Sequence, residues 1–233
     1  MPISIESLVE FLLQEESVSI DYLEKLLTAN RMQVTSALKG LEGVKVEGER
    51  VIVTSKVWLA ISAIKKGARA KAISKNLSWK EFEEEVARIF EEAGFAVEKN
   101  FRTFRPNRTE TDVLAVRGNV VIAVDCKHWK LSGPGPSSYS IAALNHLERA
   151  KKLIKSPDFR AWVFKNALSE RNIRIVPVLI TLAEKAKGKR SGVLVIPIAY
   201  LQEALHQLDE ILLDSEVLTI EGSLSSSNKK SLG

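Results

Sequence analysis

Two aspartates and a lysine stand at the ends of two neighbouring aliphatic runs of the sequence. Asp112 begins the first run, and Asp125 and Lys127 close the second. Carboxylates are ligands that Mg²⁺ prefers in proteins. A lysine beside them can orient or deprotonate an attacking water, or neutralise charge that develops on a phosphate. If the fold brings these residues together, they predict metal-assisted chemistry at a phosphate.

The segment that joins the two runs is expected to be a β-hairpin. Gly118 and Asn119 suit a two-residue turn, because both residue types tolerate a positive φ angle. In that register, counting back along the ladder places Asp112 opposite Asp125, with their Cβ atoms about 5 Å apart. Because side chains alternate along a strand, Lys127 projects from the same face as Asp125. Two carboxylates so close repel each other unless a cation lies between them or one takes up a proton.

A helix ahead of the hairpin carries a candidate fourth acid. Ser78 suits its N-cap and Gly94 its C-terminal stop. The apolar stripe predicted to face the core is Trp79, Phe82, Val86, Ile89, Phe90 and Ala93. Glu83 lies on the margin of this stripe and Glu84 on the far side. The alternative is that the whole acidic run faces solvent and stabilises the helix N-terminus through the helix dipole.

Asp112 together with the Asp125-x-Lys127 spacing resembles the core of the PD-(D/E)XK nuclease superfamily. The flanking sequence resembles Mrr-type restriction endonucleases and archaeal Holliday-junction resolvases. In those families a glutamate on a helix precedes the hairpin, and Glu83 matches that position. The resemblance covers residues 78–182.

The resemblance implies an α/β fold, with a restriction-endonuclease-like αβββαβ core, a mixed sheet and metal-dependent endonuclease activity on DNA. The implied catalytic residues are Glu83, Asp112, Asp125 and Lys127, and the implied ligands of Mg²⁺ or Mn²⁺ are Asp112, Asp125 and Glu83. The sequence departs from the family at Glu110 and Thr111, because a glycine often precedes the first aspartate there. Whether Glu110 joins the metal site stays open.

The sequence pattern divides the chain into four parts. They are a winged-helix-like DNA- or protein-binding domain at 1–68, a basic linker at 69–77, the nuclease-like domain at 78–213 and a flexible C-terminal tail at 214–233. Three amphipathic helices followed by an alternating segment at 44–53 resemble the winged-helix variant of helix-turn-helix. Winged helices also serve as dimerisation and protein-contact modules, so DNA binding by this domain is one of two alternatives.

The nuclease-like domain continues beyond the hairpin with a predicted loop, helix and strand. Leu131 to Ser138 is rich in Gly and Pro and is expected to be a loop near the substrate. Ser140 to Lys155 is expected to be a helix with Leu144 facing inward and Arg149 facing outward. This helix should cross over to a parallel strand at 173–182. A strand at 193–197 and a helix at 200–213 should follow.

The chain has a net charge of +5, which fits a polyanionic partner without requiring one. The residues predicted to contact duplex or branched DNA are Arg31, Lys39, Lys65, Lys66, Arg69, Arg102, Arg105, Arg108 and Lys152. No apolar run reaches the length of a membrane span, and no signal peptide is expected. The lone cysteine excludes an internal disulfide and favours a cytoplasmic location. Cys126 is expected to be a core residue.

The leading hypothesis is a metal-dependent DNA endonuclease, acting in restriction, repair or junction processing. The first alternative is a non-catalytic DNA-binding regulator or targeting subunit on a nuclease-like fold. The second is an enzyme that acts on RNA or on branched structures with the same core. Cutting both strands of a duplex would favour a homodimer.

Overall fold

The structure is a computed structural model that describes residues 3–127, 136–167, 172–182, 187–214 and 216–220. The helices are α1 (Ile5–Leu12), α2 (Ile20–Leu27), α3 (Arg31–Leu38), α4 (Lys56–Lys65), α5 (Ala70–Ile73), α6 (Trp79–Glu92), α7 (Pro136–Leu153), α8 (Pro157–Asn166), α9 (Leu201–His206) and α10 (Leu208–Asp214). The strands are β1 (Ser17–Ser19), β2 (Val44–Glu47), β3 (Arg50–Val53), β4 (Ala96–Thr103), β5 (Thr109–Arg117), β6 (Val120–Lys127), β7 (Ile173–Thr181), β8 (Gly188–Arg190), β9 (Val193–Pro197) and β10 (Leu218–Ile220).

The larger sheet is mixed and has the order β4-β5-β6-β7-β9-β8, with β10 paired to β7. β4, β5 and β6 are antiparallel neighbours, whereas β6, β7 and β9 run parallel. α7 and α8 lie between β6 and β7 along the chain, as a parallel connection requires. The predicted α/β class, with a restriction-endonuclease-like core and a mixed sheet, is confirmed.

The hairpin of β5 and β6 has the predicted turn. Gly118 has a φ angle of 61°, and Arg117 pairs with Val120. The ladder continues to Val113 opposite Val124. The positive φ angle explains why glycine suits this position, because a Cβ atom would strain the turn. Turn chemistry therefore sets the register of the two strands that carry the aspartates.

The two faces of the sheet are covered by different helices. On one face, α6 packs Phe82, Val86 and Phe90 against Val113 and Val124. On the other face, α7 and α8 pack Leu153, Phe159 and Val163 against Leu114, Val116, Val121 and Ala123. Because side chains alternate along a strand, consecutive residues of β5 and β6 face different helices.

α6 begins with a capping box. Ser78 Oγ accepts a hydrogen bond from the backbone N of Glu81 at 3.1 Å, and Glu81 Oε2 accepts one from the backbone N of Ser78 at 2.9 Å. Gly94 follows the helix with a φ angle of 80°. The predicted apolar stripe is wrong at Trp79, which is 41% exposed, because the first turn extends beyond the edge of the core.

Residues 3–73 contain α1 to α5 and a small antiparallel sheet of order β1-β3-β2. This N-terminal unit has its own apolar core, to which Ile73 of α5 also belongs. It also packs against α6, because Val57 and Ile61 of α4 share an apolar cluster with Phe82 and Val86. Two polar contacts add to this packing: Ser55 Oγ donates to Glu85 Oε2 at 3.2 Å, and Lys56 Nζ lies 3.1 Å from Glu81 Oε1.

Three predictions about the C-terminal half need correction. The prediction of a flexible tail does not hold at Leu218–Ile220, because this segment pairs with β7 and Ile220 is 1% exposed. The predicted last helix is interrupted at Gln207, whose backbone leaves the helical region with φ −103° and ψ 43°. The predicted loop is wrong at residues 136–138, because they begin α7. The rest of that loop, 131–135, and residues 221–233 of the tail lie outside the described residues. Among the described helices, none is both long and apolar enough to cross a membrane.

Candidate active site

Asp112 and Asp125 lie one residue beyond the last pair of the β5–β6 ladder, Val113 opposite Val124. Continuing this register by one residue places them opposite each other, and the charge of Asp125 contributes to the raised pKa of Asp112. Asp112 Oδ2 accepts a hydrogen bond from the backbone N of Cys126 at 2.7 Å. Asp125 is only 6% exposed. The hairpin therefore brings two carboxylates together at the end of the sheet.

Two cations contact the buried Asp125. Lys127 Nζ lies 2.6 Å from Asp125 Oδ2, and Arg149 Nη2 of α7 donates to Asp125 Oδ1 at 2.5 Å. Each carboxylate oxygen of Asp125 therefore has a cation beside it, and a metal ion at either oxygen would take the place of a protein cation.

Glu83 approaches the site from the other side of the sheet. Glu83 belongs to α6, and Val113 and Val124 face that helix. Because side chains alternate along a strand, the adjacent Asp112 and Asp125 project toward α7 instead. Glu83 is 8% exposed. The pKa of Glu83 is raised to about 7. Burial is the largest cause, and the charges of Asp112, Glu110 and Asp125 add to it. The acids are thus close enough to repel one another electrostatically.

Asp112 is also difficult to ionise. Its pKa is raised to about 6, mainly by burial and then by the charge of Asp125. The hydrogen bond from Cys126 and the charges of Lys127 and Arg149 act in the opposite direction but do not cancel the rise. A divalent cation beside the carboxylate would favour its charged form.

The donor set fits a hard divalent cation held by two carboxylates. Among the described residues, no three His, Cys, Asp or Glu side chains are close enough to hold one ion together. The role of Glu83 as a third ligand therefore stays a prediction. Mg²⁺ commonly binds through one or two carboxylates and keeps several water ligands. Asp112 and Asp125 meet that requirement, with the metal ion taking the place of a protein cation beside Asp125.

The predicted orientation of α7 is wrong at Leu144 and Arg149. Leu144 is 51% exposed, whereas Arg149, predicted to face outward, contacts Asp125. The buried face consists of Tyr139, Ala143, His146, Leu147, Ala150 and Leu153. This face contains two alanines, a tyrosine and a histidine, so a pattern of large aliphatic residues does not identify it. The spacing of His146 and Arg149, which puts both on one helix face, is the signal in the sequence.

His146 ties α7 to the catalytic strand. Its Nε2 lies 2.8 Å from the carbonyl oxygen of Ala123, two residues before Asp125, and the side chain is 2% exposed. Because a carbonyl only accepts, Nε2 carries the proton. Burial lowers the pKa of His146 to about 4. The neutral imidazole thus holds the helix and the strand together.

Glu110, whose role the sequence leaves open, is paired with its cross-strand neighbour on β4. Arg102 Nη2 donates to Glu110 Oε1 at 2.9 Å, and the Glu110 side chain is 48% exposed. The carboxylate therefore has a cation of its own at the rim of the site.

Two open clefts meet at Arg149. A cleft of about 420 Å³ is lined by Arg108, Thr109, Glu110, Asp112, Asp125 and Arg149. A cleft of about 430 Å³ is lined by Trp79, Lys127, Ser138, Ile141, Ala142, Asn145 and Arg149. Asp112 and Asp125 line the first cleft and Lys127 the second, and Arg149 lines both.

The nine cations predicted to contact DNA fall into two groups. Within the described part of the chain, three of them pair with carboxylates: Arg31 with Glu49 and Asp21, Arg69 with Glu6, and Arg102 with Glu110. The other six are exposed and have no carboxylate partner among the described residues: Lys39, Lys65, Lys66, Arg105, Arg108 and Lys152. Only Arg108 of these six lines the cleft that holds the acids.

The turn between β4 and β5 presents an aromatic residue and two arginines beside this cleft. Phe104 is 68% exposed, and Arg105 and Arg108 are exposed as well. Thr103 and Thr109 hold the base of the turn through a contact of 2.7 Å between their hydroxyl oxygens. By contrast Phe101, on the preceding strand, packs against Phe159 and Trp162 of α8.

A family model described as restriction endonuclease matches residues 74–156, which include α6, β4, β5, β6 and α7. An uncharacterized protein of Archaeoglobus fulgidus is 30% identical over 134 residues, which are 57% of this chain and 92% of that protein. The protein of unknown function AF1548 has a crystal structure that matches with a TM-score of 0.32 and 17% identity, over 55% of this chain and 66% of that one. Protein VC1899 from Vibrio cholerae matches with a TM-score of 0.31 and 11% identity, over 91% of this chain and 52% of that one.

Proposed function

Because this chain belongs to the Mrr-type restriction endonuclease family of the PD-(D/E)XK superfamily, we propose that it is a metal-dependent endonuclease that hydrolyses the phosphodiester bonds of DNA. The observation that carries the proposal is the pairing of a buried acid, Asp125, with a half-buried one, Asp112. Asp112 and Asp125 end adjacent strands, and Lys127 contacts Asp125 at 2.6 Å. An open cleft of about 420 Å³ gives a phosphate access to both acids.

In the proposed reaction, Asp112 and Asp125 bind Mg²⁺ or Mn²⁺. Such a cation polarises the scissile phosphate and lowers the pKa of a nearby water. Lys127 orients the attacking water or neutralises the negative charge that develops on phosphorus. Glu83, whose pKa of about 7 lets it gain or lose a proton near neutrality, accepts a hydrogen bond from water at the edge of the cleft.

The proposed DNA surface consists of the six exposed cations without carboxylate partners. Arg108 lines the acidic cleft, Arg105 belongs to the same turn, and both would hold the DNA backbone near the scissile phosphate. We propose that residues 1–68 act as a winged-helix-like domain. Lys39 follows α3, the helix that would enter a DNA groove, and Lys65 and Lys66 end α4.

The second candidate is a non-catalytic DNA-binding protein on the same fold. One observation favours it: Asp125 already has a cation beside each carboxylate oxygen, so its charge is compensated without a metal. Against it stand the raised pKa values of Asp112 and Glu83, since unused acids have no reason to stay buried and close together.

Cleavage of DNA substrates by the full chain distinguishes these functions. Linear duplex, single strands, four-way junctions and RNA are incubated with Mg²⁺, with Mn²⁺ and with EDTA. We expect metal-dependent cleavage of DNA that Asp125→Ala abolishes, while binding of the same DNA in Ca²⁺ persists. Glu91→Ala, which removes an exposed carboxylate of α6, is the matched control and should cleave normally. An Asp125→Ala protein that still cuts DNA would refute the site.

A further inference from the structure

Arg149 occupies a position that the aspartates and the lysine alone do not explain. It reaches from α7 to Asp125 on β6, and it walls both clefts. We propose that Arg149 is a further catalytic residue, which neutralises Asp125 while no divalent cation is bound and binds the scissile phosphate when DNA is present. This inference rests on the proposed nuclease function.

The helix holds Arg149 in a fixed place relative to the catalytic strand. His146, three residues earlier on the same face, is hydrogen-bonded to the Ala123 carbonyl at 2.8 Å, and Ala123 is two residues from Asp125. The backbone of Arg149 therefore stays near the acids. Its side chain is nevertheless 37% exposed, so that part of the guanidinium is accessible from the clefts.

The guanidinium has hydrogen-bonding capacity that the described residues do not use. One of its nitrogens, Nη2, donates to Asp125, whereas the buried Nε has no acceptor among the described residues. A buried donor without an acceptor is unfavourable by about 1–3 kcal/mol, a factor of roughly 5 to 150 in an equilibrium constant. Arginine binds phosphate oxygens through two parallel N–H groups. A phosphate in the cleft would therefore supply the acceptors that Arg149 lacks.

Arg149 and a divalent cation compete for the same carboxylate. Both are positively charged and both bind the carboxylate of Asp125. Each therefore weakens the binding of the other to that carboxylate by the same factor. A guanidinium less firmly held by Asp125 is free to bind phosphate. Removal of Arg149 should therefore have opposite effects on two quantities: affinity for the cation in the absence of DNA rises, and affinity for DNA falls. A residue that only supports the local structure would lower both.

The test compares the full chain with its Arg149→Gln variant. Binding of Mn²⁺ without DNA is measured by calorimetry, and binding of duplex DNA in Ca²⁺ is measured across a range of salt concentrations. We expect Arg149→Gln to bind Mn²⁺ about tenfold more tightly, since a charged hydrogen bond to the competing arginine is lost. The slope of log affinity against log salt should decrease by about one unit, which corresponds to one phosphate contact. Cleavage should slow by about a hundredfold or more.

Two variants guard against a trivial explanation. Arg160→Gln removes an arginine of α8 whose side chain donates to the Ile154 carbonyl, and it should leave Mn²⁺ affinity and the salt slope unchanged. Arg149→Lys keeps the charge but lacks the paired N–H groups, so it should retain the Mn²⁺ affinity of the native protein while cleaving more slowly.

Unchanged or weaker Mn²⁺ binding by Arg149→Gln would overturn the competition with the cation, and an unchanged salt slope would overturn the phosphate contact. Failure of the nuclease function itself is seen separately, because the native protein would then not cleave any DNA although both binding measurements could still be made.

Discussion

The carboxylate of Asp112 accepts a hydrogen bond from the backbone of the neighbouring strand, through the N–H of Cys126 at 2.7 Å, and it has no ion pair with a cation in the described part of the chain. Asp125, its cross-strand neighbour, is by contrast flanked by Lys127 and Arg149. The two acids of the candidate site therefore differ in kind. One is fixed by the sheet and difficult to ionise, and the other is compensated by charge.

This difference predicts that Asp112→Asn stabilises the metal-free protein. The asparagine can still accept the N–H of Cys126, but it removes a carboxylate that burial and Asp125 disfavour. Because the folded-state pKa is raised to about 6, the penalty is present at pH 8 and disappears below about pH 4, where the carboxyl is protonated in both states. We expect a gain of about 1–3 kcal/mol in the free energy of unfolding at pH 8, measured by urea denaturation in EDTA. Cleavage should be lost. A less stable variant at pH 8 would contradict this account.

Metal affinity should fall as the pH is lowered from 8 to 5.5. The proposed ligand Asp112 and the nearby Glu83 have pKa values of about 6 and 7, so both are protonated progressively over this range. Binding of Mn²⁺ should release protons, which calorimetry in buffers of different ionisation enthalpy detects. Glu83→Gln should remove the part of the pH dependence near pH 7, whereas Glu91→Gln on the exposed face of the same helix should leave it. Affinity that does not vary with pH would show that these acids are not linked to the cation.

His146 should make the protein sensitive to acid. Its folded-state pKa of about 4 lies below the ordinary value of 6.5, so the unfolded state binds more protons between these limits. Stability should therefore be complete above pH 6.5 and should decrease by up to about 3 kcal/mol as the pH falls to 4. His146→Leu should be less stable at pH 8, because the Ala123 carbonyl loses its donor, and should show a weaker decrease in acid. Parallel curves for the two proteins would contradict the assignment.

The turn beside the acidic cleft should bind the DNA backbone. Replacement of both Arg105 and Arg108 by Gln removes two exposed cations without carboxylate partners in the described part of the chain. We expect the salt slope of DNA binding in Ca²⁺ to decrease by about two units, measured by fluorescence anisotropy. Arg102→Gln is a suitable comparison, because Glu110 already neutralises this arginine, and its effect should be smaller. Equal effects would show that the turn has no special role.

Local chemistry made the central hairpin predictable. Gly118 and Asn119 allow a turn that few other residue pairs allow, and the turn then determines the register from Arg117 to Val113. The contact of Lys127 with Asp125 follows from the alternation of strand residues. Even the capping box of α6 is a short-range pattern. Each of these features depends on residues that are close in the chain.

What the sequence did not predict depends on packing between distant elements. Glu83 can be placed on its helix, but which face of the sheet α6 covers is decided by the whole core, so the sequence does not show from which side Glu83 approaches the aspartates. The inward face of α7 includes His146 and two alanines, because a helix that packs closely against a sheet has little space for large side chains at some of its positions. The strand β10 has three residues, too few for its alternation to be recognised.

The contacts of α6 with the N-terminal unit have a mechanical consequence. Glu81 pairs with Lys56 and Glu85 with Ser55, so the residues held by this unit lie two positions before and two positions after Glu83. The segment that presents this acid is therefore anchored at both sides by residues 55 and 56. A displacement of residues 3–73, by whatever molecule they engage, would move Glu83 with them. The distance between that acid and the paired aspartates thus becomes a quantity that a distant binding event can adjust.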